Sequence, residues 1–190
     1  MLEWKFSPKP GRLSLGDKLL MNGNPVYPLM FTFRDTISGN GFMAGITLSG
    51  RLTAELEDGE WWMYGVRPSA LSETGENPPV AFSKFRTRYE HVLFDLAEEA
   101  KDFESFRALV EAFYNEPNPE QETRWEEAFQ LIRARGFEPE KPFSDLTKAR
   151  PETRPTQISV ERLDLANRRF MPSDNISDTY FIPAPEQMAA

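Results

Sequence analysis

The chain has 190 residues, 39% of them hydrophobic, with a formal net charge of -8 and no cysteine. That length supports one domain with extensions. The missing thiols exclude disulfides, cysteine zinc sites and thiol nucleophiles, and the negative balance opposes contact with a phosphate backbone.

No apolar run near the N-terminus is long enough for the core of a signal peptide, and no segment reaches the length of a membrane span. A cytoplasmic location without membrane insertion is therefore expected. The first element is a strand over 2–6, where Leu2, Trp4 and Phe6 alternate with Glu3 and Lys5. Pro8, Pro10 and Gly11 break it. After the turn cluster Met21-Asn22-Gly23-Asn24-Pro25, a strand is predicted over about 26–36, with Leu29, Phe31 and Phe33 on one face and Met30, Thr32 and Arg34 on the other.

Ser38-Gly39-Asn40-Gly41 predicts a tight turn into a strand over 42–48. Gly50 marks either a bulge or a close approach in a longer strand path. Alternation resumes over 51–56, Asp58-Gly59 reverses the chain, and aromatic-rich residues 60–66 form the partner strand.

Helical spacing follows. Asn77 is placed to cap a helix with Pro78 at its first position, and Phe82, Phe85, Tyr89, Val92, Leu93 and Leu96 form its stripe. A second helix starts near Asp102 and carries Phe103, Phe106, Leu109, Val110 and Phe113. Asn118, Pro119 and Gln121 open a third, with Trp125, Phe129 and Ile132 on one side and Gly136 past its end. Beyond Gly136, repeated prolines interrupt any long element. Residues 158–165 have the pattern of a short helix or strand, and 176–182 that of a last strand or docking segment. Phe143, Leu146, Phe170, Tyr180 and Phe181 still offer apolar anchors.

The expected architecture is α+β: an antiparallel β-meander of about four strands with helices on one face, and a Pro-rich C-terminal arm. The domain would span 1–136, with its sheet in about 1–67 and helices in about 77–136. The arm would span 137–190 and lie on its own domain, on a second copy or on a partner.

Trp61-Trp62-Met63-Tyr64 is the densest aromatic run. On a strand its residues alternate between faces, one for the core and one that needs a cover. His91, the sole histidine, lacks a sequence-encoded nucleophile or orienting carboxylate. Glu98 and Glu99 are adjacent, so on a helix they point apart. Glu57, Asp58 and Glu60 flank a turn. Lys84, Arg86 and Arg88 are followed closely by acids, the pattern of a solvated mixed-charge face. There is no phosphate loop, dinucleotide fingerprint or nucleophile elbow. No catalytic, cofactor-binding or metal-ligating set is expected.

The order from 50 to 100 carries a family resemblance. Asp58-Gly59 joins two strands, Trp61 to Tyr64 lead to Pro68, and Glu73-Thr74-Gly75-Glu76 precedes Pro79-Val80-Ala81-Phe82 at the start of a helix. This segment resembles the HicB-like antitoxins. The resemblance implies a partial double-stranded-RNA-binding fold that neutralises a small ribonuclease toxin. The chain departs from that pattern at Pro68, which is followed by Ser69-Ala70-Leu71. Its tail also shows no helix-turn-helix or ribbon-helix-helix pattern, so repressor activity does not carry over.

The functional expectation is a protein–protein interaction module that occludes a small basic partner, with Trp61, Trp62, Tyr64, Tyr180 and Phe181 as its anchors. Acidic residues would speed encounter. Alternatives are a homo-oligomeric structural or adaptor protein, and a hydrolase that uses His91 with a carboxylate such as Glu55 or Glu60.

Overall fold

A computed structural model describes residues 20–21, 24–134, 143, 157–163 and 180–181. The predicted strand over 2–6 lies outside these, as does Gly136. The elements run β1 (Leu20–Met21), β2 (Asn24–Gly39), β3 (Phe42–Glu57), β4 (Glu60–Arg67), β5 (Ser72–Gly75), α1 (Pro78–Glu99), α2 (Phe103–Asn115), α3 (Pro119–Arg133), β6 (Gln157–Arg162) and β7 (Tyr180–Phe181). The class is α+β, built on an antiparallel meander in the order β2-β3-β4-β5.

The two long strands are each 16 residues and pair over most of their length, from Val26 opposite Glu55 to Gly39 opposite Phe42. The pieces expected on either side of Gly50 are thus one strand. Gly50 is a close-approach point: a Cβ there would run into the Arg67 carbonyl and the Phe31 ring. The β3–β4 turn places both Asp58 (φ 51°) and Gly59 (φ 87°) in the left-handed region. That is the backbone of a two-residue hairpin whose twist matches its strands. The acidic segment before the first helix, for which the sequence predicted no strand, contributes to β5, with Glu73 opposite Met63 and Gly75 opposite Trp61. A new partner ladder on β4 overrides the weak strand propensity of Ser-Glu-Thr-Gly.

β3 changes partner partway along. Its C-terminal half pairs with β4, ending at Arg51 opposite Arg67. Its N-terminal half pairs with β6, from Ala44 opposite Arg162 to Ser49 opposite Gln157. Two pieces of the Pro-rich arm therefore lie on the chain's own sheet, since β7 also pairs with β2 at Met30 and Phe31.

One face of the sheet carries Leu29, Phe31, Phe33, Ile37, Ile46, Leu48, Leu52 and Met63, all buried. α1 and α2 cover it. The α1 stripe buries Phe82, Phe85, Tyr89 and Leu93, with Phe85 edge-on to Phe31 at 5.6 Å and Tyr89 edge-on to Phe33 at 4.8 Å. α2 sets Phe106 against Phe42 at 5.1 Å. The caps fall where expected: Asn77 accepts from the backbone of Val80, Asp102 forms a reciprocal capping box with Ser105, and Asn118 accepts from Gln121.

Of the three helices expected on one face, only α1 and α2 lie there. α3 crosses to the other and lies against the Met30, Arg51, Thr53 and Glu55 side of the strands. Trp125 and Phe129 join Met30 and Val66 there in a separate small apolar cluster. The crossing occurs where β3 changes partner. Near the end of α2 the Tyr114 hydroxyl donates to the Ser49 carbonyl at 2.7 Å, and α3 starts beyond Asn118.

Candidate functional site

The β3–β4 register builds the site. Thr53 lies opposite Tyr64, Glu55 opposite Trp62, and Glu57 opposite Glu60. Directly opposed residues on antiparallel strands share a face. Trp62 and Tyr64 therefore project from the face that bears α3. Their rings stack at 5.7 Å with only 7° between planes, and both are half-buried. The Tyr64 hydroxyl donates across to β3, to Glu57 Oε2 at 3.3 Å. Burial, followed by the Glu57 charge, pushes the Tyr64 phenol up to about 12.

Beneath the first turns of α3 is a buried carboxylate. Glu55 is 0% exposed. Arg124 of α3 donates to its Oε2 through Nη2, and the Thr53 hydroxyl lies 3.2 Å from its Oε1. The same hydroxyl is 3.1 Å from the Gln121 side-chain oxygen. Its one proton serves one acceptor at a time. Burial raises the Glu55 pKa above its ordinary value, and the Arg124 charge opposes that shift.

Three more contacts seat α3. Trp125, 0% exposed, donates its indole N–H to the Leu29 carbonyl at 3.1 Å. Arg67 donates through Nε (3.4 Å) and Nη2 (3.1 Å) to Glu122 Oε1. The Arg51 guanidinium lies over the Trp125 ring, 4.9 Å from its centroid.

The sequence-predicted anchors divide. Trp61 points to the opposite face, where it meets Tyr27 at 5.9 Å and Phe143 at 5.3 Å beside the main core. Trp62 and Tyr64 stay together on the outer face. Tyr180 and Phe181 form β7, with Phe181 opposite Met30 and Tyr180 opposite Phe31 in the ladder. The structure therefore brings Trp62 and Tyr64 into one patch.

His91 is exposed on the outer side of α1, while Glu55 is under α3 across the sheet. These two residues are not brought together. Glu60 is exposed and accepts from the Thr74 hydroxyl at 3.1 Å. Among the described residues, no group of His, Asp and Glu side chains is arranged to hold a metal ion, and no helix is long and apolar enough to cross a membrane.

Sequence reasoning missed the Glu55–Arg124 pair. Its partners are 69 positions apart, and no local pattern links them. The available signal was Glu55 standing between apolar Ala54 and Leu56 in a predicted strand, on the face opposite to them. No family model, curated protein or solved structure matches the chain.

Proposed function

We propose that this chain is a protein–protein interaction module, in which the Trp62–Tyr64 patch docks a small basic partner protein and occludes its working surface. The observation behind this reading is the stacked, half-buried Trp62–Tyr64 pair bordered by Glu57 and Glu60. Aromatic side chains held rigid by stacking lose little entropy on binding and are favoured as interface anchors. Bordering carboxylates select a cationic surface and speed its approach. The resemblance of residues 50–100 to HicB-like antitoxins supports the same class of role, with a small ribonuclease as the kind of protein occluded.

The test is co-expression with the small basic protein, if any, encoded next to this chain, followed by purification at physiological salt. A stoichiometric complex is expected, and it should be lost in Trp62→Ala/Tyr64→Ala when circular dichroism shows the fold intact. Failure to recover any stoichiometric protein partner overturns the proposal.

A further inference from the structure

We propose that Arg51 and Arg67 form a binding site for a phosphate-type oxyanion, in the seam where β3 leaves β4 and α3 begins. This goes beyond the docking role assigned to Trp62 and Tyr64 and rests on different residues.

Arg51 and Arg67 are direct partners in the β3–β4 register, beside its irregularity at Arg51 and Leu52. Like charges in opposed positions destabilise a strand pair, so a counter-charge is required. Glu122 supplies one through its contacts with Arg67 Nε and Nη2. Arg51 remains. Its guanidinium is fixed over Trp125, and its buried Nε–H has no hydrogen-bond acceptor among the described residues. A buried donor left in this condition carries a free-energy cost that a suitable acceptor would remove.

The surroundings include opposing charges. Glu122 and Glu126 both act on Arg51 electrostatically, in the sense that favours its charged form, while Arg67 acts in the opposite sense. Tyr114 is also within electrostatic range of both arginines, but its hydroxyl proton is engaged with the Ser49 carbonyl. Arg67 keeps 31% of its side-chain area exposed, so solvent and small ions reach this edge of the seam.

Two planar guanidinium groups on directly opposed residues suit a tetrahedral oxyanion, which can accept from both forks at once. A monovalent carboxylate or halide offers fewer acceptors or less charge. The net charge of -8 repels anions at long range, so selectivity must come from this short-range geometry. The site would admit either inorganic phosphate or the terminal phosphate of a larger ester.

The test follows the Arg51 Nε–H resonance of the full-length protein by NMR while inorganic phosphate is added at constant ionic strength. A saturable shift is expected with phosphate, with no shift from chloride or acetate. Arg51→Met keeps the apolar stem over Trp125 and should abolish saturable phosphate binding measured by calorimetry. Glu122→Gln releases Arg67 and should tighten phosphate binding about tenfold, the scale of one charge-assisted contact. This variant keeps the proposal testable if Arg51→Met does not fold. Phenyl phosphate binding as well as phosphate would support an ester as the source. Its exclusion, with phosphate still bound, would support the free ion. No saturable Nε–H shift with phosphate, or an equal shift with chloride, overturns the site.

Discussion

Arg124, on α3, closes an ion pair on the carboxylate of Glu55, which is 0% exposed near the C-terminal end of β3. The pair fixes α3 to the sheet face opposite α1 and α2. It also places a charge that water cannot reach beside the half-buried Trp62–Tyr64 patch. Such an arrangement favours a particular geometry more than it favours stability, because each ion must be desolvated before the pair forms.

Removing the cation should therefore be worse than neutralising the anion. Arg124→Met is expected to cost about 3 kcal/mol, since it leaves Glu55 buried and unpaired. Glu55→Gln is expected to cost about 1 kcal/mol, because the amide still meets the Thr53 hydroxyl. The double variant should be more stable than Arg124→Met alone. The sign of the pH effect follows from the raised Glu55 pKa. The native state holds this proton more tightly than the unfolded chain, so stability falls as pH rises from the ordinary glutamate range through the raised native value. Arg124→Met removes the charge that opposes the shift and should extend that window upward. Urea denaturation between about pH 4 and pH 8 measures both effects.

The two tryptophans of the aromatic run should separate stability from binding. Trp61 packs against Tyr27 and Phe143 beside the core. Trp61→Ala is expected to destabilise by about 2 kcal/mol, below the range for a fully buried ring because Trp61 is half-buried. Trp62 stacks on Tyr64 at the outer face, and Trp62→Ala should cost about 1 kcal/mol or less. Loss of complex formation should follow the reverse order. Denaturation midpoints and partner co-purification on the same pair of variants check this together.

At Gly50 the backbone leaves no room for a side chain. Its Cβ would collide with the Arg67 carbonyl and the buried Phe31 ring. Gly50→Ala is expected to destabilise by about 3 kcal/mol through overpacking, a fall in melting temperature of roughly 6–12 °C for a chain of this size. The substitution should also disturb the Arg51–Arg67 register, which sits beside it. Differential scanning calorimetry and hydrogen exchange along β4 would detect both changes.

Much of the main core was legible because it depends on local periodicity. Phe82, Phe85, Tyr89 and Leu93 recur at helical spacing, and Asp58-Gly59 turns a hairpin with backbone geometry that few other pairs adopt. The second face was less legible. Along β3, Ser49, Arg51, Thr53 and Glu55 have the pattern of a solvent side, yet Ser49, Thr53 and Glu55 are buried. Trp125 and Phe129 cover this face from α3, and alternation in a strand does not reveal whether a distant helix will cross over it. β5 was missed for a related reason: Ser72 to Gly75 becomes a strand only because β4 offers it an open edge. The Trp62–Tyr64 patch was legible as aromatic density, but assigning its face required the β3–β4 register.

Tyr114 ties the crossing between faces to the seam in β3, and its hydroxyl is the part that matters. It donates to the Ser49 carbonyl at 2.7 Å, where β3 has passed from β4 to β6. Tyr114→Phe preserves the buried ring but removes that donor, and should cost about 1–2 kcal/mol. Burial pushes the Tyr114 phenol from 10.0 to about 12, with Arg67 and Arg51 opposing the rise. The unfolded chain releases this proton near pH 10 while the native state retains it, so the tyrosine's stabilising contribution is lost as pH rises from about 10 toward 12. The stability gap between wild type and Tyr114→Phe should therefore be largest below about pH 9 and narrow above pH 10. Tyr64 and Tyr89, also shifted upward, remain in both proteins, so the difference isolates Tyr114. A constant gap from about pH 8 to pH 11 in urea titrations would show that the hydroxyl does not hold its proton across the seam.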